Sequence, residues 1–423
     1  MDAVLSFSAD KPIVVVGSGA DSVKAHLEGR AQFAFQERQL GTGHAAMAAA
    51  PLLDERTGHV LVVAGDMPLL KPETIEALVE LAQSEEYAAV MLTAVLDDPT
   101  GYGRVLRDPL GGVRAIIEHR DATPAEREVD EVNASVYCFE TGAFYEALGA
   151  LSSQNDQGEY YLTDCIGYLT GKGQRVGALI ASDPEECMGV NDHAQLAQAS
   201  KVLRRRVIAA HMAEGVSFID PDNTYVDHGV EIGRGTVIHP GNTLQRGTRI
   251  GRNCTILPGC RISASVIGDG ARVESSVLTD STVGDGATVG PFAHLRPGAQ
   301  VGEGCRVGNF VEIKNSRVGK GSKVSHLSYV GDGVIGEDCN IGCGVVFVNY
   351  DGEKKYAAVV EDGAFVGCNA NLVAPVTVGE GAYVAAGSTV TEDVPRDALA
   401  IARSRQVNKE GWAGKRRMEK QKK

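Results

Sequence analysis

From about residue 230 to 390 a small aliphatic residue returns at every sixth position. Ile232, Ile238, Leu244, Ile250, Ile256 and Ile262 keep the step, as do Val283, Val289, Leu295, Val301, Val307 and Ile313, and later Val366, Leu372, Val378, Val384 and Val390. Glycine often follows the aliphatic, as at Gly233, Gly251, Gly302 and Gly379. A step of six fits neither the 3.6-residue turn of an α-helix nor the two-residue alternation of a hairpin sheet. It predicts a parallel β-helix, in which each hexad supplies one short strand and one corner and the aliphatic side chain points into a narrow prism. Small residues let the chain turn at the corners.

Residues 1–190 have another texture. Apolar runs at 13–16, 59–64, 88–96 and 133–139 predict strands, and stretches at 43–50, 72–84 and 141–151 predict helices. Their alternation implies an α/β domain with a largely parallel sheet, whose ligands sit beyond the carboxyl ends of the strands. Residues 191–213 form a helical run with Leu196, Ala199, Leu203 and Val207 as its apolar positions; Arg204, Arg205 and Arg206 interrupt it and Gly215 ends it. The resulting plan is a first domain at 1–190, a linker helix at 191–215, a β-helix at 216–402 and a basic tail at 403–423.

Composition narrows the function classes. A net charge of -14 argues against nucleic-acid binding. The tail runs the other way, with Lys415, Arg416, Arg417, Lys420, Lys422 and Lys423, and reads as a solvated end; Arg403 and Arg405 near its start could meet an anionic phosphate. No segment approaches the length of a membrane span and the N-terminus has no signal-peptide pattern. Nine cysteines without paired spacing suggest reduced thiols in a cytoplasmic protein, most of them small apolar residues of the prism. Cys339, Cys343 and His326 lack a fourth ligand at recognisable spacing, which disfavours zinc.

Two motifs follow strands of the first domain. Residues 39–45, QLGTGHA, make a glycine-rich turn opening a helix, whose N–H groups could face an anion or a base edge. Residues 64–69, AGDMPL, put Asp66 at a strand end, suited to hold a divalent ion bridging phosphates. Taken alone, each motif has a bland explanation: a capped helix for the first and a strand-end turn for the second. Gly17-Ser18-Gly19 lacks the third glycine of a dinucleotide fingerprint and reads as a strand-to-helix turn.

Taken in order, QLGTGHA, AGDMPL, DPTGYGR, IIEHRDA, QGEYYLTD, GVND, PFAHLRPGA, VGNFVEIK, KVSHLSYVGD, VNYDG and NLVAPVTVG resemble the bifunctional GlmU family over nearly the whole chain. The resemblance implies a Rossmann-like nucleotidyltransferase domain followed by a left-handed parallel β-helix of hexapeptide repeats. It further implies a cytoplasmic homotrimer that makes UDP-N-acetylglucosamine, a precursor of peptidoglycan and lipopolysaccharide. Acetyl-CoA would acetylate glucosamine-1-phosphate in the β-helix half, and UTP with Mg²⁺ would uridylylate the product in the first half. By resemblance His326 is the base that takes the amine proton. Arg296, Lys314, Tyr329 and Asn340 would hold the sugar phosphate; the 18 residues between Arg296 and Lys314 are one coil, which stacks them on one edge. Cys343, Asn349, Tyr350, Cys368, Ala386 and Arg403 would line the acetyl-CoA site, with cysteines at 343 and 368 where better-known members carry Ala and Ser. In the first half the resemblance assigns Gln36, Gly41 and Thr42 to uracil; Ala64, Gly65, Asp66 and Asn191 to ribose, metal and phosphate; and Gly103, Glu118 and Asn133 to the sugar. Asp66 and Asn191 would be the Mg²⁺ ligands.

The chain departs from the family at its start. The glycine-rich LAAGKGTRM loop and the PKVLH segment, which neutralise the nucleotide phosphates, are absent from the sequence given. The expectation is a truncated first domain with a gap in its sheet and little uridyltransferase activity, unless the natural chain begins earlier. Two other readings stay open on the residues alone: a single-activity sugar nucleotidyltransferase with a structural β-helix, and a hexad scaffold without activity. A γ-type carbonic anhydrase is disfavoured because His239, His294 and His326 are far apart in sequence.

Overall fold

The computed structural model describes residues 2–5, 11–53, 58–84, 86–155 and 157–421. Lys422 and Lys423 of the basic tail, and Met1, lie outside them. The chain divides into two compact units, Met1–Leu203 and Arg204–Lys423.

The elements of the first unit are α1 (Asp2–Leu5), β1 (Ile13–Val16), α2 (Ala20–His26), β2 (Gln32–Phe35), α3 (Thr42–Ala49), β3 (His59–Val63), α4 (Pro72–Ser84), β4 (Ala89–Val95), β5 (Arg104–Arg107), β6 (Val113–Ile117), α5 (Pro124–Arg127), β7 (Glu131–Glu140), α6 (Thr141–Ala150), α7 (Asp164–Gly171) and β8 (Val176–Ile180). The main sheet runs β6-β5-β7-β4-β8, with β3 also pairing β7. Alternate residues of β7 serve two cores. Tyr137 and Phe139 pack with Phe144 and Ile166 on one side, while Val136 and Cys138 pack with Ile75 and Leu78 of α4 on the other. The spacing of Ile75, Leu78, Val79 and Ala82 gives α4 a single apolar stripe to lay there.

The sheet is mixed, where the alternation of elements suggested a largely parallel one. β7 is antiparallel to β3, β4 and β5, and β4 is parallel to β8. The β5–β6 hairpin reverses the chain, and residues 118–130, which include α5, then cross past β5 to set β7 antiparallel to both β5 and β4. Strand direction leaves no mark on which residues are apolar. β1 and β2 pair in parallel as a separate sheet. Within β3 only Val60 is fully buried, whereas β4 is buried from Ala89 to Ala94. An apolar strand thus keeps one edge unpaired among the described residues.

The helix α8 (His193–Ala213) ends at Gly215, whose φ of 89° favours glycine. Beyond it the chain winds as a three-sided prism. Face I begins with Ser217–Phe218, face II with Tyr225–Val226 and face III with Glu231–Ile232, and each face is a parallel sheet of one short strand per coil. The hexad aliphatics fill its axis: Ile238, Leu244, Ile256, Ile262, Leu295, Val366, Leu372 and Val378 are fully buried. Cys254, Cys260, Cys305 and Cys339 share that core as small apolar residues. A last helix, α9 (Trp412–Gln421), is exposed.

Candidate functional site

The register of face I builds one edge of the prism. Val307 pairs with Val324 and Asn309 with His326; Val324 pairs with Ile341, Ile341 with Val366, and Val366 with Val384. Carried two residues on, these pairings stack Asn309, His326, Cys343, Cys368 and Ala386 in a single column at the corner between faces I and II. The backbone ladder passes through the same corners: Gly344 donates to the His326 carbonyl at 3.2 Å, Asn369 to that of Cys343 at 2.7 Å, and Gly387 to that of Cys368 at 2.8 Å. Arg403 follows at the next corner, its Cδ 3.8 Å from where a Cβ on Gly387 would sit. At the base of the column His326 Nδ1 meets Oδ1 of Asn309 at 2.6 Å. With Nδ1–H donating, the Nε2 lone pair is free to accept a proton.

The corner between faces II and III carries the cations. Arg296 and Lys314 stand one above the other, since Leu295 pairs with Ile313 and Arg296 N–H donates to the Ile313 carbonyl at 2.8 Å. Glu312 holds one guanidinium nitrogen of Arg296 at 2.7 Å. Lys355, which the sequence reading passed over, lies against Lys314. Its closeness and charge, with Arg296 beyond, push the Lys314 ammonium below its ordinary value. Arg296 is already paired with Glu312 and Asp332 partly offsets Lys314, so the uncompensated positive charge of this edge rests mainly on the Lys314–Lys355 pair. Lys355 reaches the place because the excursion after face II folds back, bridging Tyr350 to Lys355, with Asp351 accepting from the Glu353 and Lys354 N–H groups.

Gly331 makes room in the middle. A Cβ there would strike the Tyr329 hydroxyl and lie 2.8 Å from Nδ2 of Asn349, so both side chains close over a glycine. Asn349 and Asn315 donate to the two oxygens of Asp332, each at 2.6 Å. Burial works to raise the Asp332 pKa, but those two amides, with Lys355 and Lys314, outweigh it and hold the carboxyl low.

The predicted residues therefore sort by place. His326, Cys343, Cys368, Ala386 and Arg403 share the first edge. Arg296, Lys314, Tyr329, Asn349 and Tyr350 gather at the second, so Asn349 and Tyr350 sit apart from the other residues assigned to acetyl-CoA. Asn340 lies on face I between Lys323 and Phe365, on neither edge. Cys339 is inside the prism at 1 % exposure while Cys343 and His326 stand outside it, so these three cannot share an ion. Burial pushes the Cys260 thiol up to about 11 and raises that of Cys339, keeping both protonated.

In the first unit, the QLGTGHA turn is clamped to residues 158–162. Gly43 N–H donates to the Tyr160 carbonyl, Tyr160 N–H to that of Leu40, and Thr42 Oγ1 accepts from Leu162 N–H. A Cβ on Gly41 would lie 2.6 Å from the Tyr160 carbonyl oxygen, so close backbone approach explains that glycine. The Gly43 N–H is thereby spent on protein, and the anion-facing role suggested for it does not apply. Gln36 donates to the Gly41 carbonyl at 3.2 Å and meets His44 Nδ1 at 2.9 Å. Ala64, at the end of β3, donates to the Ser135 carbonyl, and Gly65 has open space around it. Asp66 and Asn191 converge on Gly189, whose missing Cβ would lie 3.5 Å from Asp66 Oδ2 and 3.7 Å from Asn191 Nδ2.

Gly103 faces Glu118 in the same way, with its carbonyl accepting from Asn133 N–H at 2.9 Å. Burial raises the Glu118 pKa; Thr163, donating at 3.1 Å, works against that, and Asp121 and Asp164 add to it.

Residues 1–131 match the MobA-like NTP transferase domain family, and residues 280–315 and 357–392 match the bacterial transferase hexapeptide family. Whole-chain relatives are named bifunctional protein GlmU. That of Geobacillus sp. (strain WCH70) is 51 % identical over 412 residues, 97 % of this chain and 90 % of the relative. That of Geobacillus thermodenitrificans is 50 % identical over 420 residues, covering 99 % and 92 %. The relative from Acetivibrio thermocellus is 47 % identical over 421 residues, covering 100 % and 91 %.

Proposed function

This chain belongs to the GlmU family, and we propose from the two edges of its β-helix how it serves UDP-N-acetylglucosamine synthesis, acetylating glucosamine-1-phosphate with acetyl-CoA and passing UMP from UTP to the product. The carrying observation is the column that aligns His326 with Cys343, Cys368, Ala386 and the neighbourhood of Arg403 along one groove, beside an edge of three cations. An extended pantetheine chain would lie along that column, with Arg403 meeting a phosphate. His326 Nε2 takes the proton from the sugar amine as it attacks the thioester carbonyl. Arg296, Lys314 and Lys355 neutralise the sugar phosphate, and Tyr329 and Asn349 close over its sugar.

Two features support assembly with a further copy, which in the family reading is a homotrimer. The amine and phosphate of the sugar sit on adjacent carbons, whereas base and cations of one copy are separated by the width of face II, roughly 10 Å for three extended residues. A second copy setting its own edge alongside would bring the two halves together. The residues one place past the column in three successive coils are Phe292, Phe310 and Leu327, exposed at 59 %, 56 % and 58 %. Their φ values of 59°, 56° and 47° are left-handed, a conformation costing about 1–2 kcal/mol for such side chains. A large apolar residue both strained and exposed is accounted for if a neighbouring copy covers it.

In the first unit Gln36, Gly41 and Thr42 would meet uracil, and Gly103, Glu118 and Asn133 the sugar. Asp66 and Asn191 both approach Gly189, and with the Asn191 amide turned to present its oxygen the pair would supply two oxygen ligands to a small cation. A divalent ion such as Mg²⁺ held there would neutralise charge on the transferring phosphoryl group. Free thiols throughout the nine cysteines suit a reducing cytoplasm; no helix among the described residues is long and apolar enough to cross a membrane.

The test uses the full chain and two assays: CoA release from acetyl-CoA with glucosamine-1-phosphate, and pyrophosphate release from UTP with N-acetylglucosamine-1-phosphate and Mg²⁺. CoA release should fall roughly 10²–10⁴-fold in His326→Ala. No CoA release from the parent chain would sink the acetyltransferase assignment. CoA release without pyrophosphate would confine the chain to the first reaction.

A further inference from the structure

The first edge holds more than a binding groove needs. Asn309, His326 and Cys343 occupy successive coils in one column, giving an amide, an imidazole and a thiol in strict order. Equivalent positions of neighbouring coils point the same way along this prism. The Asn309–His326 contact of 2.6 Å and the ring stack of Phe292 on Phe310, 5.5 Å between centroids, both arise from that one-coil step. Coil backbones lie about 4.8 Å apart, so Cys343 stands one coil step from His326, on the side away from the Asn309 that holds the other ring nitrogen. Unlike Cys339, sealed in the prism, Cys343 is half-exposed on the outer edge. Nucleophile, base and base-orienting amide in that sequence are the elements of covalent acyl transfer.

We propose that Cys343 is an acetyl acceptor: in the absence of amine it takes the acetyl group from acetyl-CoA and carries it as a thioester. The proposal rests on the reading of this edge as the acetyl-CoA groove. In the step, His326 Nε2 removes the Cys343 thiol proton and Sγ attacks the thioester carbonyl carbon. The bond from that carbon to the CoA sulfur breaks, and the departing CoA thiolate takes the proton back from His326. The products are S-acetyl-Cys343 and CoA, one thioester exchanged for another, with no oxidant or other co-reactant. The reverse step returns the acetyl group to CoA, so the chain also exchanges free CoA into acetyl-CoA.

Cys368, one coil further on, supplies an internal control. It is exposed and lies in the same groove, but its column neighbours are Cys343 and Ala386, with no imidazole beside it. The full chain is incubated with [¹⁴C-acetyl]acetyl-CoA without sugar, quenched in acid, and its cysteine peptides are separated and counted. In parallel, labelled free CoA is followed into acetyl-CoA, and acetyl transfer to glucosamine-1-phosphate is measured on the same preparation. Expected are hydroxylamine-sensitive label at Cys343 forming roughly 10²-fold or more faster than at Cys368, loss of that advantage in His326→Ala, and CoA exchange. Equal labelling of the two cysteines, or label that survives hydroxylamine, overturns the proposal. If the sugar is acetylated but Cys343 stays unlabelled, the covalent step is wrong and the function stands. If Cys343 is labelled but the sugar is not acetylated, the function is wrong and the acceptor stands.

Discussion

Lys355 shows what one side chain can do that no spacing foretells. It sits against Lys314 only because a nine-residue excursion, 349–357, folds back on itself at Tyr350. Its charge depresses the Lys314 pKa, a strain that a bound phosphate dianion relieves. Lys355→Ala should therefore weaken glucosamine-1-phosphate with little effect on acetyl-CoA. A lost charge-assisted contact of about 1.5–3 kcal/mol corresponds to roughly a ten- to hundred-fold rise in KM for the sugar phosphate. Unchanged KM would remove Lys355 from the site. Glu118 is the opposite case, a carboxyl raised chiefly by burial above its ordinary 4.5. Below that value it is protonated in both folded and unfolded chains and exacts no penalty. As the pH climbs through its raised folded value the folded state must ionise a poorly solvated group, so stability is lost with rising pH and the loss is complete above that value. Glu118→Gln, which keeps an oxygen for the Thr163 hydroxyl, should raise the melting temperature of the first unit at neutral pH. The gain should vanish in acid below the ordinary carboxyl range. A gain that persists there would point to packing instead of charge.

Among the elements, the hexads were the most legible because the fold repeats a burial rule that the side chains must obey: over most of the prism every sixth residue is inside, with shorter steps of five at Ile267, Leu278, Val283, Val318 and Ile335. Lys314 over Arg296 was readable for the same reason, as a distance of one coil. The grouping of site residues by edge was not, because it depends on which corner each motif occupies and on strands of two to four residues between them. In the first unit, β2, β5, β6 and β8 carry little sequence contrast; β6 and β8 are only partly buried, and the β5–β6 hairpin that makes the sheet mixed leaves no directional signature. Glycines are where element geometry becomes testable. A Cβ at Gly308 would overlap the carbonyl oxygen of Ser325 on the next coil, directly before Asn309 and His326. Gly308→Ala must push two coils apart at the base of the column. It should cost about 1–3 kcal/mol of stability and reduce acetyl transfer more than sugar-phosphate affinity. A variant that melts and turns over like the parent would show that this edge tolerates such a shift.

At the scale of the whole molecule, the decisive question is whether one copy contains a complete acetyltransferase site. His326 lies on the first edge of the prism and Lys314 on the second, with face II between them. If the working site pairs the first edge of one copy with the second edge of its neighbour, two defects on separate edges can complement each other. Chains carrying His326→Ala retain their cations, and chains carrying Lys314→Ala retain their base. In a cyclic trimer assembled at random from equal amounts, each interface draws an intact base with a chance of one half and intact cations with a chance of one half, so roughly one quarter of the sites are whole. Each variant alone should be nearly inactive, and the mixture, dissociated and reassembled together, should recover roughly a quarter of the parent rate. Mixing without dissociation should recover nothing, which separates subunit exchange from an additive effect of the two preparations. Were the base and the cations of a single copy sufficient, every chain in the mixture would lack one of them and no activity would return. The same reassembly with Phe310→Asp in both variants should leave monomers without rescue, because a charge would stand where the strained ring of Phe310 needs a neighbour to cover it.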